Sequence, residues 1–211
     1  YDVVRADTLF LFMITAGLAA IPRWALAGEG IRGHGRIAAA AAILALSFFC
    51  KQTGIFYVGL GGAIVAIVAW RRALIYIAVA GVLGLGGTAA ANAATGGWFW
   101  TYVSKIHRAH DFSMDRFWRS YGYILWHFRA LTIVVVIALV ATLVVYIRTR
   151  TLPKQCQPLL LWSSAFAMST VVGAVGWGTE FAHFNAYMPA FLHGALAAGA
   201  ALPALAACAQ I

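Results

Sequence analysis

Seven apolar blocks separated by short polar or basic turns run the length of the chain, and no other feature constrains it as much. They span Thr8 to Pro22, Ile37 to Cys50, Gly54 to Trp70, Ala73 to about Asn92, Ala130 to Ile147, Leu159 to Trp177 and Ala186 to about Ala207. A helix needs about 20 apolar residues to cross a bilayer, with a usual range of about 17–25. Blocks four to seven meet that length. The first two are short, and at about 1.5 Å per residue the second reaches only about 21 Å unless Arg36 and Lys51 snorkel at its ends. Charged residues make up 10% of the chain and hydrophobic ones 63%, with a mean hydropathy of +0.85. A soluble domain carries about 25% charged residues, so too few charges remain here to cover a water-facing surface. The expected fold is all-α, a polytopic transmembrane helical bundle of about seven apolar helices.

The net charge of +9 would suggest nucleic acid in a soluble chain. Here the basic residues sit in short clusters between apolar blocks, where topology signals belong. The basicity therefore reads as orientation and contact with anionic lipid, not as nucleic-acid binding. If each block crosses once, Arg23, Arg32, Arg36, Arg71, Arg72, Arg148, Arg150 and Lys154 share one face. The positive-inside rule makes that face cytoplasmic. The other face then receives five of the six acids, Glu29 being the exception, together with the Gly96 to Phe128 loop and the Gly178 to Asn185 turn.

That long loop is dense in aromatics, including Trp98, Trp100, Tyr102, Trp118, Tyr121 and Trp126, as befits a membrane–water interface. From Met114 onward the positions Met114, Phe117, Trp118, Tyr121 and Leu125 recur at helical spacing, which predicts an amphipathic interfacial helix in this external loop. The glycines Gly81, Gly84, Gly86 and Gly87 read as close helix packing. They lack the strand and lysine of a phosphate-binding loop.

Several polar residues interrupt this pattern. Asp2, Arg5 and Asp7 stand at the head of the first helix. Acids there cap it and suit its dipole, whereas an arginine among them at the membrane border suits a phosphate. Lys51, Gln52 and Thr53 break an apolar run; a cation so placed must reach water or a partner. Glu180, His183 and Asn185 lie in a turn that needs only Gly and perhaps Asn, so the turn reads equally as a site or as ordinary interface. His107, His110 and Asp111 form H-x-x-H-D, which lacks a third well-placed ligand, and no metal site is assigned. The cysteines Cys50, Cys156 and Cys208 have no metal-ligand spacing and read as small buried hydrophobes.

The opening Tyr1-Asp2-Val3-Val4-Arg5-Ala6-Asp7-Thr8-Leu9-Phe10, the Phe49-Cys50-Lys51-Gln52-Thr53-Gly54 turn, the Gly97-Trp98-Phe99-Trp100-Thr101-Tyr102 segment and the late His183-Phe184-Asn185-Ala186-Tyr187-Met188-Pro189 segment follow one another in the sequence. Together they resemble bacterial polytopic membrane glycosyltransferases of the C-type fold, the family 39-like proteins akin to protein O-mannosyltransferases and the lipid A aminoarabinose transferase. The resemblance implies transfer of a sugar from a polyprenyl-phosphate carrier to an acceptor lipid, glycan or protein at the periplasmic face of the bacterial inner membrane. It implies that an external carboxylate serves as base and that basic residues hold the carrier phosphate. Arg5 and Asp7 match the R-x-D at a helix head, Lys51 and Gln52 the KQ turn, and Asn185 with Tyr187 the late polar turn. Glu180 and His183 join the substrate-binding candidates by their place in that turn. The family's acidic first external loop falls upstream of anything resembling Tyr1. Residues 1–211 therefore read as a partial transferase domain, with the main base upstream and Asp2 and Asp7 in supporting roles. No cofactor is assigned beyond the lipid-linked sugar itself, and a divalent metal is left open.

Two further readings stand beside this one. Intramembrane cations and a polar midsection would suit a transporter or lipid flippase, although no internal repeat is evident. A structural membrane subunit would use the same polar residues as helix anchors.

Overall fold

A computed structural model describes the backbone of residues 3–25, 30–106, 110–180 and 184–211, and the side chains of 7–21, 33–106, 110–180 and 184–211. Asp2, His107 and His183 lie outside the described residues, as does the side chain of Arg5. Every apolar block lies on a helix, and among the described residues the only extended pairing is an isolated bridge between Phe112 and Thr179. Among the described residues, five helices are long and apolar enough to cross a membrane. The chain divides into two units, Tyr1–Asp111 and Phe112–Ile211.

The first unit begins with α1 (Val3–Ala25) and α2 (Gly30–Cys50). Phe10, Ile14, Leu18 and Ile21 form one stripe of α1, and all are buried, as the 3.6-residue period requires of a single packed face. Ile37, Ala40, Ala41 and Leu44 bury the matching face of α2. The helices approach closely because Gly17 has no side chain: a Cβ there would stand 2.6 Å from Leu44 Cγ.

The third and fourth blocks follow one another as α3 (Gly54–Gly81), a π-helical turn (Val82–Gly86) and α4 (Gly87–Ala94). It is not a straight rod. Ala69 has φ −149° and ψ 60°, outside the helical region. The Tyr76 hydroxyl donates to the Val58 carbonyl at 2.8 Å, across 18 residues, which in a straight helix would lie about 27 Å apart. The chain therefore reverses at Ala69, and two antiparallel arms result. The second arm runs beside α2: the Arg72 guanidinium lies over Gly33 near the start of α2, and Gly87 meets the Phe49 ring near its end. Ile67, Leu74, Val82 and Leu85 on these arms are strongly exposed, which in a membrane chain is a lipid-facing surface.

The second arm ends where Gly96 and Gly97 take φ of 58° and 91°, a left-handed conformation that a side chain would oppose. Asn92 Oδ1 accepts from the Trp100 amide at 3.0 Å and Thr95 Oγ1 from the Phe99 amide at 2.9 Å. These bonds satisfy the second and third amides of α5 (Trp98–Trp100), which runs into the π turn Thr101–Ile106.

In the second unit, α6 (Met114–His127) starts at Ser113, whose hydroxyl accepts from the Arg116 amide as an N-cap. The expected amphipathic helix is therefore present. It is followed by α7 (Arg129–Thr149), α8 (Cys156–Gly178) and α9 (Met188–Cys208). Arg150 ends α7 in a left-handed conformation, and Pro153 follows it. The core joins Ile124, Val135, Ala138, Leu159, Phe166, Tyr187, Ala190, Ala197, Ala201 and Ala204. Alanines let α9 lie close against α8.

Candidate functional site

At one end of the first unit the chain brings Asp7 and Lys51 together. Lys51 Nζ donates to Asp7 Oδ1 at 2.6 Å, across 44 residues. Lys51 follows the last residue of α2 and Asp7 is in the second turn of α1, so antiparallel packing sets them at one level. The Lys51 side chain is 30% exposed and that of Asp7 11%. The ammonium also lies 5.9 Å from the centre of the Phe10 ring, within cation–π range. An ammonium carries three donors, and Asp7 accepts one of them.

The turn that carries Lys51 is locally fixed. The Lys51 amide donates to the Ser47 carbonyl at 3.0 Å and the Gly54 amide to the Lys51 carbonyl at 2.8 Å. A Cβ on Gly54 would fall 2.6 Å from the Phe48 nitrogen, so α3 can leave the turn this tightly only from glycine. Gln52 is half-buried. Thr53 Oγ1 is buried without a hydrogen-bond partner. Phe99 packs on Phe49, ring centres 6.0 Å apart, which brings the exposed Trp98 and Trp100 to this same end. The opposite end of the unit holds Arg72 over Gly33 and Arg71 against Trp70, 5.6 Å from its ring centre.

The late turn belongs to the second unit and is built differently. Asn185 and Tyr187 lie on a 3₁₀ turn (Phe184–Tyr187) between α8 and α9. Tyr187 is buried, and its hydroxyl accepts from Ser120 at 3.0 Å. Its ring contacts those of Tyr123 and Trp177, each with centres 5.2 Å apart. The Arg116 guanidinium lies 5.3 Å from the Trp177 ring centre. Asn185 is half-buried and Glu180 exposed. The structure thus joins Asp7 to Lys51 and fixes Tyr187 to α6, while Glu180 stands outside both arrangements.

One polar pair has no counterpart in the sequence reading. Ser169 of α8 and His193 of α9 are fully buried, with Ser169 Oγ 2.7 Å from His193 Nδ1. The Trp162 ring stacks on the imidazole. Both residues sit inside helices long enough to span a bilayer. Ser169 stands beside Thr170 and His193 is alone in an apolar run, and only the pairing singles them out. Among the described residues, no three metal-ligating side chains converge. No protein-family model, no curated protein and no solved structure matches the chain.

Proposed function

We propose that the chain is the transmembrane part of a glycosyltransferase that moves a sugar from a polyprenyl-phosphate carrier to an acceptor hydroxyl. The observation that supports this reading is the Lys51 ammonium, set at the end of an apolar bundle beside an aromatic rim and oriented by Asp7. A cation so held suits the phosphate of a lipid carrier. Arg5, two positions before Asp7 on α1, would add a second cation, and Gln52 a neutral donor. In the reaction the acceptor oxygen bonds the anomeric carbon while the bond from that carbon to phosphate breaks. The acceptor proton passes to an external carboxylate base, the role that the family resemblance gives to a loop upstream of Tyr1 with Asp2 and Asp7 in support, and polyprenyl phosphate leaves, its charge met by Lys51 and Arg5. Asn185, Tyr187, Glu180 and His183 are the candidates for sugar or acceptor contacts.

In this reading all seven apolar blocks cross the bacterial inner membrane, with the Lys51 end periplasmic and the Arg71–Arg72 end cytoplasmic. The test is sugar transfer by the full-length protein in proteoliposomes, using a polyprenyl-phosphate sugar. Lys51→Met should raise the KM for the donor, and Lys51→Arg should restore part of it. Equal transfer by wild type and Lys51→Met would reject the proposal.

A transport reading draws on the buried Ser169–His193 pair, because intramembrane ionisable residues often mark a substrate or proton path. It predicts loss of substrate flux, without any transferase activity, on changing His193.

A further inference from the structure

Two cysteines far apart in the sequence meet at one end of the second unit. Cys156 Sγ and Cys208 Sγ lie 3.8 Å apart across 52 residues, and both are free thiols. They come from the first residue of α8 and the last of α9. Thr142, on α7, brings its hydroxyl within 3.9 Å of Cys208 Sγ. Cys156 is fully buried. Cys208 lines a cavity of about 410 Å³, with Arg148 and Thr149 also on its wall.

A lone buried cysteine is ordinarily a small hydrophobe. Two thiols in van der Waals contact, one of them reachable from a cavity, have chemistry that neither has alone. The S–S bond is about 2.0 Å long, so rotation of the side chains has less than 2 Å to close. The thiolate is the reactive form of a cysteine, and the cavity gives a small oxidant a way to Cys208.

We propose that Cys156 and Cys208 form an oxidisable dithiol, in which Cys208 meets a hydroperoxide in the cavity and Cys156 resolves the product to a disulfide that staples α8 to α9. The Cys208 thiolate attacks one peroxide oxygen, the O–O bond breaks, and hydroxide or an alkoxide leaves, taking up the proton that the Cys208 thiol released to become water or an alcohol, giving a sulfenic acid. The Cys156 sulfur then attacks the sulfenic sulfur. Its hydroxyl departs as water, taking the Cys156 proton. The peroxide gains the two electrons that the two thiols lose. The staple ties together the two helices whose contact forms the core of this unit, and so fixes one wall of the cavity.

The test treats the purified protein, freed of reductant, with hydrogen peroxide. The protein is then unfolded and alkylated, and Cys50, Cys156 and Cys208 are read by peptide mapping. Cys50 is the internal control, its thiol lying 3.7 Å from Met13 Sδ in the other unit. The expected result is joint loss of the Cys156 and Cys208 thiols, a linked peptide joining them, and recovery of both with dithiothreitol. In Cys156→Ala, Cys208 should instead stop as a sulfenic acid trapped by dimedone. The proposal is overturned if both thiols remain alkylatable in the wild type. It is equally overturned if Cys208 gains oxygen while Cys156 stays free. The wild-type measurement decides the matter even if the variant does not fold.

Discussion

Tyr76 donates its hydroxyl proton to the carbonyl of Val58, 2.8 Å away and 18 residues upstream. This bond lies across the reversal at Ala69 and ties the two arms of the α3 hairpin. Gly61 makes room for it, since a Cβ there would stand 2.5 Å from Tyr76 Oη. Tyr76→Phe removes one neutral hydrogen bond and should cost about 0.5–1.5 kcal/mol. Gly61→Ala pushes the ring off its acceptor and should cost about 1–3 kcal/mol. Denaturant unfolding in detergent micelles measures both, and a smaller loss for Gly61→Ala than for Tyr76→Phe would contradict the packing described.

The Asp7–Lys51 pair predicts strongly non-additive behaviour. Either Asp7→Asn or Lys51→Met removes the charge-assisted contact between them, and each should destabilise by about 1–3 kcal/mol. The double variant should lose less than the sum, because the contact is lost only once. Under the proposed transfer, stability then separates from activity: the double variant should be more stable than the two single losses predict and still transfer sugar poorly. Simple additivity would mean that the contact contributes nothing to the fold.

In the proposed sugar transfer, loss of one charge-assisted hydrogen bond to phosphate is worth about 1.5–3 kcal/mol, or about 10–100-fold in affinity. Lys51→Met should raise the donor KM by about that factor, with Lys51→Arg intermediate. A change in kcat alone, at constant KM, would place Lys51 elsewhere in the reaction.

Ser169 and His193 are buried together. Ser169→Ala removes the 2.7 Å bond to the ring nitrogen and should cost about 0.5–1.5 kcal/mol. Joint replacement by Ala and Leu removes both polar groups and should cost much less than Ser169→Ala plus His193→Leu taken separately. Thermal unfolding of the purified variants gives the comparison.

The Ser120–Tyr187 bond fastens α6 to the start of α9. Tyr187→Phe leaves the ring packing intact but strips the buried Ser120 hydroxyl of its acceptor, at a cost of about 1–3 kcal/mol. Hydrogen exchange should report the loss first in the Met114–His127 amides. Unchanged protection there would mean that aromatic packing alone holds α6.

The helices were legible in the sequence because a bilayer-length apolar run has a single way to satisfy its backbone where water is absent. The amphipathic helix at Met114 was legible for a related reason: its apolar positions follow the helical period, and Ser113 supplies the cap. The break between the third and fourth blocks was legible at Arg71 and Arg72, but the tertiary structure places the reversal at Ala69 and shows the Tyr76–Val58 bond that spans it. The candidate site divides in the same way. Lys51 stood out because a cation interrupting an apolar run is costly, but nothing near it in sequence names Asp7 as its partner. Ser169 with His193 and Cys156 with Cys208 are separated by 24 and 52 positions, and each residue alone is unremarkable. Composition and period are local quantities, so the chain by itself determined its helices and the ends at which charge gathers. Which side chains meet depends on the register and depth at which one helix lies on the next, and only the tertiary structure decided that.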